Sequence, residues 1–221
     1  MVVPIFPLPD VTFFPHTLLP LHVFEARYRA MVMDALERDR RLAIVRLRPG
    51  YEAAYAGKPA VYAVAGVGEI VSFERLATGR YNILVRGDAR VRIESEVPSD
   101  TLYRIARARR LDDVESPRAA AGALARDVQD ALTRDVQDAL TRIRASCATL
   151  LTALDRPADL LDTALAEGQP AGAIADRVAA AVLPDPDLRQ ELLETLEVGA
   201  RITRVAGALE ALVKELKGGR E

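Results

Sequence analysis

Few side chains in this sequence could act as a nucleophile or as a general base. The reactive candidates are two histidines, one cysteine and three lysines: His16, His22, Cys147, Lys58, Lys214 and Lys217. A lysine acts as a base when burial lowers its pKa, but Lys58 lies beside a proline in a predicted loop. The other two lysines lie at the end of a predicted C-terminal helix, where they complement the helix dipole. The lysines therefore predict no activating base for a serine nucleophile.

The cysteine and the histidines also fit structural roles. Cys147 falls on the apolar face of a predicted helix, where a thiol packs as a small hydrophobic group. His16 and His22 share one proline-rich segment, and no cysteine or histidine spacing supplies the three or four ligands of a zinc site. The chain contains no Gly-x-x-x-x-Gly-Lys-Ser/Thr loop to cradle a phosphate. We therefore predict no enzymatic activity, no metal and no cofactor.

The segment that carries both histidines, residues 5–29, is apolar, contains four prolines and runs into a predicted helix. Each proline removes a backbone donor, so the segment cannot form a regular central strand. Irregular apolar backbone near a surface offers what strand addition and groove binding need. We expect most of its large apolar side chains to fill the core, namely Phe6, Phe13, Phe14, Leu18, Leu19 and Phe24. We predict that its polar fringe and a tyrosine-bearing loop contact polypeptide: His16, Thr17, His22, Glu25, Arg27, Arg29, Tyr51 and Tyr55.

The first half of the chain has the pattern of a β-rich domain with one helix. Residues 2–8 predict a first strand, which Pro4 and Pro7 place at a sheet edge or in an irregular segment. The apolar stripe over 25–38 predicts the helix. Further strands are predicted over 42–47, 61–74, 81–86, 89–97 and 103–111. Together these elements predict a small, strongly bent β-barrel or folded sheet.

Three glycines interrupt the predicted strands. Gly66 and Gly68 lie inside one strand and indicate a bulge or a close approach of backbone. Gly87, followed by Asp88, predicts a turn or kink between two strands. Glycine at these positions predicts strong bending of the sheet.

Composition changes at Ser116-Pro117, and the second half has the pattern of an all-α domain. We therefore predict two domains, residues 1–115 and 116–221. Ser116 is suited to cap a helix whose first position is Pro117. Nothing breaks this helix before about Leu154, so it is long.

The long helix contains a repeat, because Arg126–Thr133 recurs letter for letter as Arg134–Thr141. Eight residues are about 2.2 helical turns, so the second copy is rotated against the first and its apolar line drifts. We interpret the repeat as a tandem duplication that lengthens the helix. Shorter helices are predicted over 160–165, 174–183, from Asp185-Pro186 onwards and over 198–216, and together they predict a bundle.

Bulk composition predicts a cytoplasmic protein. The 221 residues are 50% hydrophobic and 28% charged, with a formal net charge of −2. A single cysteine suits a reducing compartment. No apolar run approaches the roughly 20 residues that span a bilayer, and the first residues carry no basic n-region of a secretory signal.

Nucleic-acid binding is the competing interpretation, because seven arginines lie in the later predicted strands: Arg86, Arg90, Arg92, Arg104, Arg107, Arg109 and Arg110. However, Asp88, Glu94 and Glu96 share the predicted solvent face with Arg90 and Arg92, and the chain has no tryptophan. An RNA-binding surface combines one sign of charge with stacking aromatics. The pattern therefore favours a mixed, solvated face.

Three stretches, in a fixed order over nearly the whole chain, carry a family resemblance. They are Phe6–Pro9 with Phe14-Pro15 and Leu19–Tyr28; Gly66–Ile70 with Gly79-Arg80 and Leu84–Ile93; and Ala175–Val178 with Leu183, Gln190–Val198 and Arg201-Ile202. In order and spacing they resemble the N-terminal, substrate-binding domain of the Lon protease family. The Leu-Pro-Leu-His-Val-Phe-Glu form looks more like the stand-alone bacterial members, which lack the ATPase and peptidase domains.

The resemblance implies an α+β protein, in which a PUA-like bent β-barrel with one helix precedes a helical bundle with one long helix. It also implies recognition of polypeptide in a proteolytic or quality-control setting. Our hypothesis is a non-catalytic module that binds unfolded or partner polypeptide, one version being an adaptor for a separate protease. Two alternatives stay open: a PUA-like nucleic-acid-binding module, and the substrate-binding portion of a Lon protease whose catalytic domains lie outside this chain. The client and the oligomeric state are left open.

Overall fold

The computed structural model describes residues 1–55, 57–115, 123–166 and 168–218, and over 123–130 it describes the helix but not the side chains. The chain forms two compact units, Met1–Asp112 and Asp113–Glu221. Unit 1 is a mixed β-sheet with one α-helix, and unit 2 is helical. The predicted α+β class is confirmed.

Unit 1 contains six strands among the described residues: β1 Val2–Leu8, β2 Leu18–Val23, β3 Arg41–Arg46, β4 Val64–Arg75, β5 Tyr81–Val97 and β6 Arg104–Leu111. Their order is β2-β5-β4-β3-β1-β6, and β5 also pairs with β6. With 17 residues, β5 is long enough for both roles, since its first part pairs with β2 and its last part with β6. The second pairing closes β5, β4, β3, β1 and β6 into a ring and leaves β2 as an edge strand.

The edge or irregular position predicted for β1 is wrong, because β1 is a strand that lies between β3 and β6. Its first residues, Val2–Ile5, pair with β6, and its last residues, Ile5–Leu8, pair with β3. Each half therefore has a strand neighbour on one side, which is the condition under which a strand tolerates proline. Pro4 and Pro7 fall in different halves, so β1 remains in register with both neighbours.

Of the turn or kink predicted at Gly87, the turn is wrong, since β5 runs through it. The pairing of β5 with β4 is nevertheless irregular there, because Gly68 pairs with Gly87 and the next residue back, Val67, pairs with Ala89. The glycine serves a close approach instead: a Cβ there would lie 2.1 Å from the carbonyl oxygen of Phe14. The close approach predicted at Gly66 is confirmed, because a Cβ would lie 2.0 Å from the carbonyl oxygen of Phe13. These glycines allow the proline-broken segment before β2 to lie directly on the sheet.

The α-helix that the described residues of unit 1 form, α1 Ala26–Leu36, packs its apolar stripe on one face of the sheet. Large side chains fill that layer, including Phe6, Phe13 and Met31. The opposite face is lined mainly by valines and alanines: Val3, Ile5, Ala43, Val45, Ala65, Val67, Ala89, Val91, Ala106 and Ala108. Small side chains there allow strands of the closed ring to approach one another closely.

Unit 2 contains the helices α2 Ala123–Ala153, a 3₁₀ turn Ala158–Leu161, α3 Asp162–Leu165, α4 Ala171–Val182, α5 Pro186–Glu194 and α6 Val198–Gly218. The predicted bundle with one long helix is confirmed, and α2 packs against α6. The predicted cap at Asp185 is confirmed, since its carboxylate accepts a hydrogen bond of 2.9 Å from the Asp187 N–H. The cap predicted at Ser116-Pro117 lies outside the described residues. Within the described ranges, none of the helices has both the length and the apolarity that a bilayer span demands.

A buried arginine anchors the start of unit 2. The Arg201 side chain is 1% exposed and donates hydrogen bonds to the Thr195 carbonyl at 2.7 Å and to Asp113 at 2.5 Å. Its Nε lies 3.2 Å from the carboxylate of Asp176, which is fully buried. The neighbouring Val114 pairs with Glu197 in an isolated β-bridge. These contacts fix the residues that open unit 2 onto the beginning of α6.

Candidate functional site

Four of the eight residues predicted to contact polypeptide meet at the start of α1, and we call Glu25, Arg27, Tyr51 and Tyr55 the α1 cluster. The Tyr55 hydroxyl donates to Glu25 Oε1 at 2.9 Å, and Arg27 Nε donates to Glu25 Oε2 at 3.0 Å. The Tyr51 and Tyr55 rings are 6.0 Å apart between centroids. The sequence could not predict this arrangement, because the tyrosines lie about 30 residues after Glu25, in a long loop that contains the 3₁₀ turn Tyr51–Ala54.

The α1 cluster is held together by its own charges and rings. The Arg27 guanidinium lies 4.6 Å from the ring centroid of Tyr28 and 5.2 Å from that of Tyr55, both within cation–π range. Burial raises the pKa of Tyr28 to about 12. Burial, followed by the hydrogen bond to Glu25, also raises the pKa of Tyr55. Both phenols are therefore protonated at neutral pH, and Tyr55 donates a hydrogen bond to the carboxylate.

A cleft of about 190 Å³ lies beside the α1 cluster, with Arg27, Tyr28, Lys58, Glu96 and Arg104 in its wall. Glu96 neutralises two of the cations, since its oxygens lie 2.5 Å from Arg104 and 3.8 Å from Lys58. Sites for cofactors and drug-sized molecules occupy about 300–1,000 Å³ and are mostly apolar. This cleft is smaller and its charges are paired, so it does not resemble such a site.

A second candidate surface lies on the edge strand β2. Leu18, Pro20, His22 and Phe24 are all exposed and follow one another at every second position, and we call them the β2 row. Leu18 and Phe24 are each 59% exposed. The alternate residues Leu19, Leu21 and Val23 point to the other face and belong to the core layer under α1. At about 3.3 Å per residue the row is about 20 Å long.

A hydrogen-bond chain across three strands holds the polar member of the β2 row. His22 Nδ1 lies 2.8 Å from the Asn82 amide oxygen on β5, and the Asn82 amide donates to Glu74 on β4 at 2.9 Å. The His22 ring also stacks on Phe24 with centroids 6.3 Å apart. This supports the predicted structural use of the imidazole, with a side-chain amide as its partner, and it fixes the aromatic end of the row.

The other predicted contact residues lie elsewhere. His16 adopts a left-handed backbone with φ of 63°, and its N–H donates to the Gly87 carbonyl at 2.9 Å. The Thr17 hydroxyl donates to the Phe14 carbonyl at 2.6 Å. These two residues shape the irregular entry into β2. Arg29 lies near the β4–β5 hairpin, where its guanidinium is 3.5 Å from the Gly79 carbonyl oxygen.

The expectation that the large apolar side chains fill the core holds for the phenylalanines at 6, 13 and 14 and fails for two others. Phe6, Phe13 and Phe14 are buried, whereas Leu18 and Phe24 are among the most exposed large apolar residues of unit 1. The signal was present in the sequence, since Leu18 and Phe24 share the alternation phase of His22, a polar residue. What could not be seen was which face of β2 another element covers.

The surroundings of the cysteine and lysine candidates fit structural roles and not those of a nucleophile or a base. Burial raises the pKa of the Cys147 thiol to about 11, so it is protonated at neutral pH, and the predicted core cysteine is confirmed. Lys58 is 77% exposed and faces the Glu96 carboxylate. Lys217 lies in the last turn of α6. In the described part of the chain, groups of three or more metal-binding side chains do not occur.

The arginines of β5 and β6 do not form a surface of one sign. Arg90, predicted on the solvent face, is 2% exposed, whereas Arg92, which also lies between β4 and β6, is exposed. Among the others, four lie beside carboxylates: Arg86 at 2.9 Å from Glu69, Arg104 at 2.5 Å from Glu96, Arg109 at 3.4 Å from Glu94 and Arg110 at 3.0 Å from Asp112. Such a surface has little net field to attract a phosphate backbone.

Comparison with known protein families matches nearly the whole chain to one family. The sequence model described as the ATP-dependent protease La (LON) substrate-binding domain matches residues 2–211. The Lon protease of Anaeromyxobacter dehalogenans is 28% identical over 224 residues, which cover 98% of this chain. Lon protease 1 of Syntrophobacter fumaroxidans is 26% identical over 214 residues, which cover 97% of this chain. The chain spans 24% of the length of each of these relatives.

Two solved structures share the fold. The N-terminal domain of the Mycobacterium avium complex Lon protease superimposes with a TM-score of 0.67 at 16% identity, covering 95% of this chain and 98% of that one. A Lon N-terminal domain protein from Xanthomonas campestris gives a TM-score of 0.59 at 19% identity, covering 94% of this chain and 98% of that one.

Proposed function

Because the chain belongs to the family of the ATP-dependent protease La (LON) substrate-binding domain, we propose that it recognises polypeptide and performs no catalysis itself. The part of each curated relative that aligns with this chain is 24% of the relative's length. It corresponds to the substrate-binding module. The observation that carries the proposal is the β2 row, in which apolar side chains stay exposed at the edge of an otherwise well-packed sheet.

The chemistry of the β2 row favours an apolar polypeptide partner. Leu18 and Phe24 bring the apolar area, and Pro20 lies between them. The cross-strand neighbours of this face are Arg86, Leu84 and Asn82, of which Arg86 is paired with Glu69. Apolar segments are buried in folded proteins and exposed in unfolded ones. A row of this kind therefore selects for unfolded or partly unfolded chains.

The row also suits weak and reversible capture. A contact confined to one strand about 20 Å long buries much less surface than a stable protein–protein interface, which buries roughly 1,200–2,000 Å². Short contact times are useful to a module that samples many clients and passes them on. We propose that the chain acts either as an adaptor that brings polypeptide to a separate protease or as the recognition part of a larger one. The α1 cluster is our candidate for a second contact.

Binding to a permanently unfolded protein tests the proposal. Reduced, carboxymethylated α-lactalbumin carrying a fluorescent label should bind with a dissociation constant in the micromolar range, measured by fluorescence anisotropy, whereas native α-lactalbumin should not. A labelled single-stranded RNA of 20 nucleotides serves as the comparison. Binding of the RNA without binding of the unfolded protein would support the nucleic-acid alternative and refute ours. Robust ATP or casein hydrolysis by the pure chain would refute the non-catalytic part.

A further inference from the structure

The backbone of β2 has an orientation that follows from the hydrogen bonds at its start. Gly87 N–H donates to the Thr17 carbonyl at 2.8 Å, so the backbone groups of residue 17 face β5. Opposed residues in an antiparallel pair alternate between hydrogen-bonded and non-hydrogen-bonded positions. With Leu19 opposite Val85 and Leu21 opposite Ile83, Leu19 and Leu21 also face β5. The backbone groups of Leu18, Pro20 and His22 therefore point to the other side.

The position of Pro20 agrees with this assignment. Proline has no N–H, so it is tolerated in a strand where its nitrogen faces away from the neighbour. The outer edge of β2 thus offers the N–H groups of Leu18 and His22 and the carbonyl groups of Leu18, Pro20 and His22. Among the described residues, β5 is the strand that pairs with β2, and no described strand pairs with the outer edge of β2.

We propose that an extended polypeptide segment adds to the outer edge of β2 as a further strand, its backbone paired with Leu18, Pro20 and His22. This inference rests on the proposed function and specifies how the polypeptide is held. Backbone pairing supplies affinity that is independent of sequence, and the β2 row beside it selects for apolar side chains. A binding mode of this kind suits a module that must accept many unfolded sequences.

The alternative occupant, a second copy of this chain, fits the edge poorly. Two copies of β2 paired antiparallel through all three outward residues would place Pro20 opposite Pro20. Each proline carbonyl would then face a residue that has no N–H to donate. A foreign segment with an N–H at that position satisfies the Pro20 carbonyl, so the edge is better matched to another polypeptide than to itself.

The edge is also bounded at both ends, which sets the length of the segment. Before β2, two residues, His16 and Thr17, stand opposite the single Gly87, an irregularity that ends regular pairing. After β2, Glu25 is the N-cap of α1, so the chain leaves the sheet. About six residues of a client can pair, in line with weak and reversible capture.

Amide hydrogen exchange followed by NMR tests the inference on the unmodified chain. The Leu18 and His22 amides should exchange quickly in the free chain, while those of Leu19 and Leu21 exchange slowly. Saturation with reduced, carboxymethylated α-lactalbumin should slow exchange at Leu18 and His22 by about tenfold or more. Binding of this probe without a change at those two amides would overturn strand addition and leave the proposed function standing. Absence of binding would refute the proposed function itself.

A variant with a matched control gives the second test. His22→Pro removes an outward N–H donor and leaves the backbone pairing between β2 and β5 in place, although the imidazole contact with Asn82 is lost as well. It should weaken binding about threefold to tenfold, the usual effect of one lost hydrogen bond. His22→Val removes the same side chain and keeps the donor, so its affinity should stay within about twofold of the original if the N–H matters more than the ring. Equal weakening in both variants would assign the effect to the imidazole and contradict backbone pairing.

Discussion

Replacing Leu18 by serine should weaken the binding of unfolded polypeptide without unfolding the protein. Leu18 is 59% exposed, so more than half of its side chain remains available to a partner. Burying a whole leucine side chain contributes about 1.5–3 kcal/mol, and the exposed share therefore corresponds to about 0.9–1.8 kcal/mol. The dissociation constant should rise by about fourfold to twentyfold. The same exposure predicts a change in the free energy of unfolding of about 1 kcal/mol or less.

Leu160 provides a matched control in unit 2. It is also a leucine, is 60% exposed and lies in the 3₁₀ turn Ala158–Leu161. Leu160→Ser removes the same area of exposed apolar surface, so it reports what general surface hydrophobicity contributes. Anisotropy titrations of labelled, carboxymethylated α-lactalbumin should separate the two variants, with Leu160→Ser retaining the original affinity. Urea unfolding of both variants checks that their stability is similar.

Two results would refute this reasoning. Equal loss of affinity in Leu18→Ser and Leu160→Ser would mean that binding follows total exposed apolar area and has no defined site. Unchanged affinity in Leu18→Ser would exclude the β2 row, even if the chain binds unfolded protein elsewhere. An intermediate result, in which Phe24→Ser weakens binding and Leu18→Ser does not, would confine the site to the aromatic end of the row and contradict its continuity.

Three further predictions concern packing inside unit 1 and inside unit 2, and urea unfolding measures the change in stability for each. Gly66→Ala should lower the free energy of unfolding by about 1–3 kcal/mol because its Cβ would lie 2.0 Å from a carbonyl oxygen. As a control, Gly207→Ala in α6, where a Cβ meets open space, should raise the free energy of unfolding by about 0.5–1 kcal/mol. A stabilising Gly66→Ala would contradict the close approach. Cys147 should react slowly with a thiol reagent in the native state. Because burial raises the pKa of its thiol to about 11, the stability of the protein should be intact below about pH 8.5, the pKa of the thiol in the unfolded chain, and should fall as the pH rises towards 11. A stability that rises between these two pH values would show that the pKa is shifted in the opposite direction. Arg201→Met should cost about 3–5 kcal/mol because it removes the guanidinium that lies 3.2 Å from the buried Asp176 carboxylate. Adding Asp176→Asn should recover part of the loss, and no recovery would argue against the pair.

Much of the fold could be predicted because its signals are local. The apolar stripe over Tyr28, Met31, Val32 and Ala35 predicted the ends of α1 to within two residues, since helix periodicity is visible in adjacent turns. The Asp185 cap is likewise a contact between near neighbours. Family membership also follows from sequence, because the matching stretches span the chain.

The errors arose where long-range pairing decided the outcome. Pro4 and Pro7 suggested an edge strand, yet β1 lies inside the ring because its two neighbours each cover one half. Gly87 suggested a turn or kink, yet it continues β5, with a shift in the pairing to β4, and makes room for the Phe14 carbonyl. In both cases the residue type was interpreted correctly as an exception to regular pairing, but the partner that explained the exception is distant in sequence.

The sequence by itself therefore determined the α+β class, the alternation of side chains along β2 and the family of the chain. Only the tertiary structure decided that β2 is an edge strand, that Leu18 and Phe24 stay exposed, and that Glu25, Arg27 and Tyr55 form one cluster. The physical reason is that alternation fixes which side chains share a face, whereas exposure depends on what covers that face. In β2, the core layer under α1 covers the face that carries Leu19, Leu21 and Val23, and the face that carries Leu18 and Phe24 stays exposed. Among the described strands, β5 pairs with one edge of β2 and leaves the other edge open.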